Sequence, residues 1–255
     1  MDENKAALEN DELDENKAEN TEDTAIEENT EANEPKDENA DQEKKANIIK
    51  DAVEIVESTL ITVFVIVLLF TYILHPVNII GRSMVPTLNN TFNAERVEKG
   101  ENDKVFMTTV YFNVKYGDIL VIDKDKNYLL DSNGEVYVPE SDTSINECII
   151  KRVIACGGQT VDIRDNQVIV DGKVLDEPYI AESNSTSDLG AFTDQYPITV
   201  PEGYYFVMGD NRNHSTDSRA KSVGLVKKDQ IYGKAIIKYA PLDEFDILTD
   251  SWKGD

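Results

Sequence analysis

Ser58-Thr-Leu-Ile-Thr-Val-Phe-Val-Ile-Val-Leu-Leu-Phe-Thr-Tyr-Ile-Leu74 is an uncharged run of 17 residues between Glu57 and His75. At about 1.5 Å of helical rise per residue it covers about 25 Å of a bilayer core roughly 30 Å thick. Ile55-Val56 before it and Val77 to Ile80 after it can supply the remainder. Leu, Ile, Val and Phe fall on every face of such a helix, unlike the single apolar stripe of a surface helix. A cleaved secretory signal begins near the N-terminus and ends in small residues, whereas this run ends in Tyr-Ile-Leu-His-Pro. The segment 48–76 is therefore predicted to be one membrane-spanning helix with an amphipathic N-terminal flank.

Lys44, Lys45 and Lys50 precede the run, and Arg82 and Arg96 follow it. That modest excess of basic residues predicts a single-pass protein of the cell membrane with its N-terminus in the cytoplasm and the C-terminal part outside. The chain of 255 residues carries a formal net charge of -25, unevenly spread. Residues 1–47 hold 18 acidic and 5 basic residues, no aromatic residue, and Asp-Glu-Asn at 2–4, 14–16 and 37–39. Such a segment cannot bury enough apolar surface to offset chain entropy, so 1–47 is predicted to be a disordered acidic tail. It reads as a solvated spacer or as a partner-binding tail. Nucleic acid, which calls for a basic surface, is not an expected partner.

After Pro76 the pattern is of short strands and turns. Asp118 to Asp123 is an apolar strand opened by Tyr116-Gly117, and Glu147 to Ala155 is a second, ended by Gly157-Gly158. Val161 to Ile163, Gln167 to Val170 and Lys173 to Leu175 are shorter, the last two joined by the hairpin signal Asp171-Gly172. Tyr204 to Met208 and Gln230 to Tyr239 follow. Residues 77–255 are predicted to form one mainly β, antiparallel domain, long enough for a well-packed core. Cys148 and Cys156 would lie about 26 Å apart on an extended strand, too far for a disulfide, whose Cα atoms come within about 7 Å. Two histidines and no CxxC pair give no basis for a structural zinc site.

Gly81-Arg-Ser-Met-Val-Pro-Thr-Leu88 places a serine in a turn close to the membrane. A serine hydroxyl needs a neighbouring base to become a nucleophile. His214, with Asp217 to orient it, is one candidate, since triads occur in several chain orders. A lysine three residues after the serine is excluded because Pro86 stands there. Lys151 is the third: it alternates along a strand with Ile149 and Val153, a setting that lowers an ammonium pKa. Arg152 lies on the opposite face between Ile150 and Ile154, so the Lys-Arg pair alone also fits a salt-bridging strand.

Four boxes occur in order after the apolar run: Ser83-Met-Val-Pro-Thr-Leu88, Tyr116-Gly-Asp-Ile119, Ile150-Lys-Arg-Val-Ile154, and Gly209-Asp-Asn-Arg212 with Ser215 and Asp217-Ser-Arg219. Together they closely resemble the bacterial type I signal peptidases in their short, Gram-positive-like form, over roughly residues 58–240. These are Ser-Lys endopeptidases that remove signal peptides from exported preproteins. The resemblance implies Ser83 as nucleophile, Lys151 as general base, and Ser215 as the hydroxyl that orients the lysine. It implies Asp217 with Arg219, and Asp210 with Arg152, as bracing ion pairs. Val77, Ile79, Met84, Leu88 and Ile149 would line small apolar pockets suited to Ala-x-Ala before the cleaved bond. It further implies a β catalytic core with a smaller, less regular inserted region near 157–202. No metal or cofactor, a lipid bilayer, preprotein substrates and no obligate protein partner complete the expectation.

Three departures from the family pattern stand out. Gly81 replaces the serine that many relatives use in the oxyanion hole, leaving backbone N–H groups, including that of Ser83, to do so. An unreplaced donor is worth on the order of 3 kcal/mol. Asn213-His214 replaces the usual Asp-Asn, which changes local hydrogen bonding. Cys156-Gly-Gly-Gln replaces the usual turn after the lysine strand. A catalytically silent relative, or a membrane-anchored adhesin or scaffold, would be told apart by the absence of peptide cleavage.

Overall fold

The structure is a computed structural model that describes residues 38–90, 99–110, 113–140, 147–181 and 185–248. Residues 1–37 of the expected tail, and Arg96, lie outside the described residues.

Helix α1 runs from Glu38 to Tyr72. It continues back into the stretch expected to be tail, where Ala, Glu, Gln and Lys favour helix and Lys50 stands 4.0 Å from Glu54 one turn on. From Gln42 to Tyr72 it is long and apolar enough to cross a membrane, and the side chains of that apolar stretch are unburied. The helix stops short of the expected boundary at 76. Pro76 has no amide to continue the ladder and its ring disfavours helical geometry at His75. Leu74–Asn78 instead forms strand β1. Here a proline is tolerated because β1 is an edge strand.

The strands that follow are β2 (Lys104–Thr108), β3 (Ile119–Asp123), β4 (Leu129–Leu130), β5 (Val136–Tyr137) and β6 (Cys148–Cys156). Next come β7 (Thr160–Arg164), β8 (Gln167–Val170), β9 (Lys173–Val174) and β10 (Ile198–Thr199). The last are β11 (Tyr204–Met208), β12 (Val226–Lys227), β13 (Ile231–Ala240) and β14 (Asp246–Ile247). The main sheet has the order β1-β2-β13-β3-β6-β11-β12, with β14 on β13. All of its ladders are antiparallel. The fold is thus mainly antiparallel β with one N-terminal apolar helix. Residues 157–202 contain all of a second sheet, β10-β7-β8-β9. Its β8–β9 turn uses Asp171 and Gly172, both at positive φ (52° and 76°), as a two-residue hairpin requires.

Packing explains the layering. Ile154, Phe206 and Met208 of the main sheet meet Val161, Val168, Val170 and Ile198 of the second around fully buried Phe192. A separate cluster unites Ile79, Met84 and Leu88 with Val105, Ile119, Ala235 and Leu248. That cluster anchors the chain from Ile79 to Leu88 to strands β2, β3 and β13. Central strand β6 is flanked by β3 and β11, with Lys151 opposite Leu120 and Arg152 opposite Met208.

Candidate active site

Ser83 lies in a run of tight turns whose backbone bonds include Val85 N–H to the Arg82 carbonyl and Leu88 N–H to the Met84 carbonyl. Its approach is fixed by Asn89. The Asn89 amide donates to the carbonyls of Ile79 (3.0 Å) and Gly81 (2.8 Å), while its backbone N–H and side-chain oxygen engage buried Asp103. Neither Asn89 nor Asp103 was singled out by sequence. Single side chains bonded to distant backbone leave no periodic trace.

Lys151 comes from the middle of β6 and reaches Ser83, Nζ to Oγ, at 3.0 Å. Nζ also donates to the Ile150 carbonyl at 2.8 Å. The side chain is almost wholly buried, and burial lowers its pKa from 10.5 to about 8 against the opposing pull of Asp217 and Asp210. A neutral amine at this position can accept the Ser83 hydroxyl proton, because proton transfer needs hydrogen-bond reach and a pKa near working pH.

The carboxylates are engaged elsewhere. Arg152 grips Asp210 with two bonds of 2.7 and 2.8 Å, both side chains fully buried. It also donates to the Gly117 carbonyl and, at 3.3 Å, to Thr87 Oγ1, and its guanidinium lies 4.2 Å from the centroid of the Tyr179 ring. Thr87 bonds Asp210 at 2.5 Å and ties this pair to the serine turn. Asp217 is bonded twice by Arg219, each at 2.8 Å, and by the Gly209 N–H at 3.0 Å. Burial pushes the Asp217 carboxyl up, but Arg219 more than offsets this and holds it below the usual carboxylate range. A His214–Asp217 couple is therefore not formed: the imidazole instead meets Arg82, Nδ1 to Nη2, at 2.9 Å.

Ser215 Oγ is buried and makes no hydrogen bond of good geometry, although it lies close enough to favour the charged form of Asp217. Gly209 is what admits it. A Cβ on Gly209 would stand 2.2 Å from Ser215 Oγ and 2.4 Å from the Ser83 carbonyl oxygen. Gly81, by contrast, has open space around a notional Cβ but a φ of +89°, so a serine there would be strained. Arg212 is clasped by Glu177 and Thr186, a partnership not foreseen because those partners lie in a polar loop.

A cavity of about 540 Å³ opens onto Ser83 and Lys151. Val77, Ile79, Ile80, Val121, Ile149 and Ile150 form its apolar lining. Met84 and Leu88 are not on its wall. They are buried in the cluster below, so their apolar character serves packing. Cys148 and Cys156 sit at the two ends of unbroken β6, both as free thiols.

Residues 52–240 match the family model described as signal peptidase, peptidase S26. Signal peptidase I P of Bacillus subtilis subsp. natto is 36% identical over 78% of this chain and 93% of that protein. Signal peptidase I of Bacillus licheniformis is 31% identical over 80% of this chain and 96% of that protein. A crystal structure of a signal peptidase I from Enterococcus faecalis V583 matches with a TM-score of 0.36 and 27% identity, over 49% of this chain and 98% of that one.

Proposed function

Because this chain belongs to the signal peptidase family, peptidase S26, and is a membrane peptidase of that family, we propose that it cuts exported preproteins after a small P1 residue with a Ser83–Lys151 dyad. The observation that carries this reading is the 3.0 Å contact between a buried amine and the serine hydroxyl at the floor of an apolar-walled cavity.

Neutral Lys151 takes the Ser83 proton as Oγ attacks the carbonyl carbon of the scissile bond. Electrons shift onto the carbonyl oxygen, which backbone N–H groups including that of Ser83 stabilise. Collapse of the tetrahedral species expels the new N-terminal amine, which receives the proton from the Lys151 ammonium. The acyl-enzyme is then attacked by a water that Lys151 deprotonates, and Ser83 is regenerated. Ser215 takes the orienting role from the family pattern, although its buried hydroxyl makes no hydrogen bond to Lys151 in this structure. Asp210–Arg152 holds the segment after β11 against β6, and Asp217–Arg219 braces residues 209–219 internally.

Small P1 and P3 side chains suit shallow pockets made by Val77, Ile79 and Ile149. The apolar helix anchors the enzyme where the substrate's own hydrophobic segment lies. Lys44, Lys45 and Lys50, on the N-terminal side of the apolar run, favour a cytoplasmic N-terminus and an extracytoplasmic peptidase.

Purified full-length protein in detergent, incubated with a preprotein bearing an Ala-x-Ala site, should release a mature chain whose new N-terminus follows the second alanine. Cleavage at another position would overturn the specificity reading, and no cleavage would overturn the activity.

A further inference from the structure

Arg82 and His214 meet at the cavity that holds Ser83 and Lys151, with Nη2 to Nδ1 at 2.9 Å. A guanidinium can donate but not accept. With the guanidinium as donor, the contact is made by an imidazole that accepts through Nδ1. The contact falls at a sensitive place, since Arg82 immediately precedes the nucleophile and His214 immediately precedes Ser215. The same two segments are joined through the backbone, by Asn211 N–H to the Ser83 carbonyl at 3.0 Å and the Asn211 amide to the Arg82 carbonyl at 3.1 Å. Gly209 leaves no slack between them, with a Cβ there standing 2.2 Å from Ser215 Oγ. Neither Asn211 bond involves a titratable side chain, whereas the Arg82–His214 contact does.

We propose that neutral His214 is a positioning residue for the Ser83–Lys151 pair: by accepting from Arg82 it keeps residues 82–83 in register with 214–215, and it lets go when the imidazole takes up a proton. Protonation puts a hydrogen on Nδ1, removes the acceptor and sets two cations against each other. Of the other charged groups lining this cavity, the Glu147 carboxylate favours an imidazolium and Lys151, once protonated, disfavours it. On the imidazole's own segment, Arg212 and Asp217 are already held by Glu177 and Arg219. The proposal gives a role to the Asn213-His214 departure, and it rests on the Ser-Lys reading.

The experiment compares kcat and KM of full-length wild type, His214→Asn, His214→Lys and Arg82→Met on a short peptide from pH 5 to 9. Each profile is normalised to its own alkaline plateau. A limb that rises through the lysine ionisation in every active variant tests the dyad. Below it, wild type should lose about a further fivefold, mainly in kcat, over the range in which imidazoles change charge. His214→Asn, whose amide oxygen accepts from Arg82 without titrating, should lack that extra loss, as should Arg82→Met. His214→Lys should sit about fivefold below His214→Asn at the plateau itself. Superimposable normalised profiles for wild type and His214→Asn would overturn the positioning role and leave the dyad standing. Absence of the lysine limb would overturn both readings. Loss of all activity in His214→Asn would make the imidazole the base and likewise overturn both.

Discussion

The carbonyl oxygen of Ser83 accepts the backbone N–H of Asn211 at 3.0 Å. This bond, with that of the Asn211 amide to the Arg82 carbonyl and that of Thr87 to Asp210, stitches the serine turn to the Gly209-Asp-Asn-Arg212 box, more than a hundred positions away in the chain. The neighbouring glycine has no room for a side chain, since a Cβ there would lie 2.4 Å from the same carbonyl oxygen. Gly209→Ala should therefore displace Ser83 and Ser215 from Lys151. Overpacking of this type costs about 1–3 kcal/mol of stability, and peptide cleavage should fall by at least about a hundredfold because misplacement of about 1 Å is enough for that. A melting curve and a cleavage assay on the same sample check both. Full activity would show that the two loops can part without consequence.

Ser83→Ala and Lys151→Ala should each lower cleavage by on the order of 10⁴-fold or more while leaving the fold intact, since they remove the nucleophile and its base. His214→Ala should keep substantial activity, down only by the loss of its contact with Arg82. Equal losses in His214→Ala and Lys151→Ala would restore histidine as the base. The geometry argues otherwise: Asp217 is occupied by Arg219 and Gly209, and His214 by Arg82.

Much of this architecture is legible in the chain. The apolar run reads as a helix from composition alone, and β3, β6, β8, β11 and β13 follow from apolar stretches bounded by turns. The pairing of Ser83 with Lys151, which the structure brings to 3.0 Å, is suggested by the order of four boxes, since Lys151 by itself looks like any strand lysine. What was illegible has physical causes. Leu74–Asn78 is apolar enough to extend a helix, and only Pro76 and its pairing with β2 make it a strand. Met84 and Leu88 flank the serine, but an apolar residue near a nucleophile can face the cavity or the core, and pattern does not tell which. Two-residue strands such as β4 and β12 are too short for any periodicity to register. Asn89, Asp103 and Glu177 act through side-chain hydrogen bonds to other parts of the chain that leave no spacing rule behind.

Asp210→Ala should be the most destabilising change near the site that spares the dyad. It leaves the Arg152 guanidinium buried, with one of its two strong partners gone. Breaking a buried pair in this way costs about 3–5 kcal/mol, visible as a large fall in the urea midpoint. Adding Arg152→Met to Asp210→Ala should recover part of the loss, because the unpaired charge is then gone as well. A double variant no more stable than the single one would mean that Arg152 finds sufficient partners without Asp210.

Specificity should respond to the cavity wall and not to the buried cluster. Enlarging the wall with Ile149→Ala or Val77→Ala should let a larger P1 or P3 side chain in, raising relative kcat/KM for Val or Leu at that position by about tenfold, the scale of one or two methylenes in a pocket. Leu88→Ala, behind the wall, should instead lower stability by about 2–5 kcal/mol with little change in preference. The reverse pattern would place Leu88 on the substrate side.

The pH profile tests the base most directly. On the proposed mechanism the active form requires neutral Lys151, whose pKa burial lowers to about 8. Activity on a short peptide should therefore rise about tenfold per pH unit below that value and level off above it. The sign of a perturbation can be worked out in advance. Ile149 lies on the same face of β6 two residues from Lys151 and lines the cavity, so it tolerates a polar replacement better than fully buried Val153. In Ile149→Asp a carboxylate favours the ammonium, raises the lysine pKa and moves the rising limb to higher pH. Ile149→Asn, of similar shape without the charge, separates this from mere loss of an apolar contact. Activity of Ile149→Asp at neutral pH should fall below that of Ile149→Asn, while the two converge at alkaline pH. Limbs that coincide in the two variants would mean that the titrating group is not the amine beside Ser83.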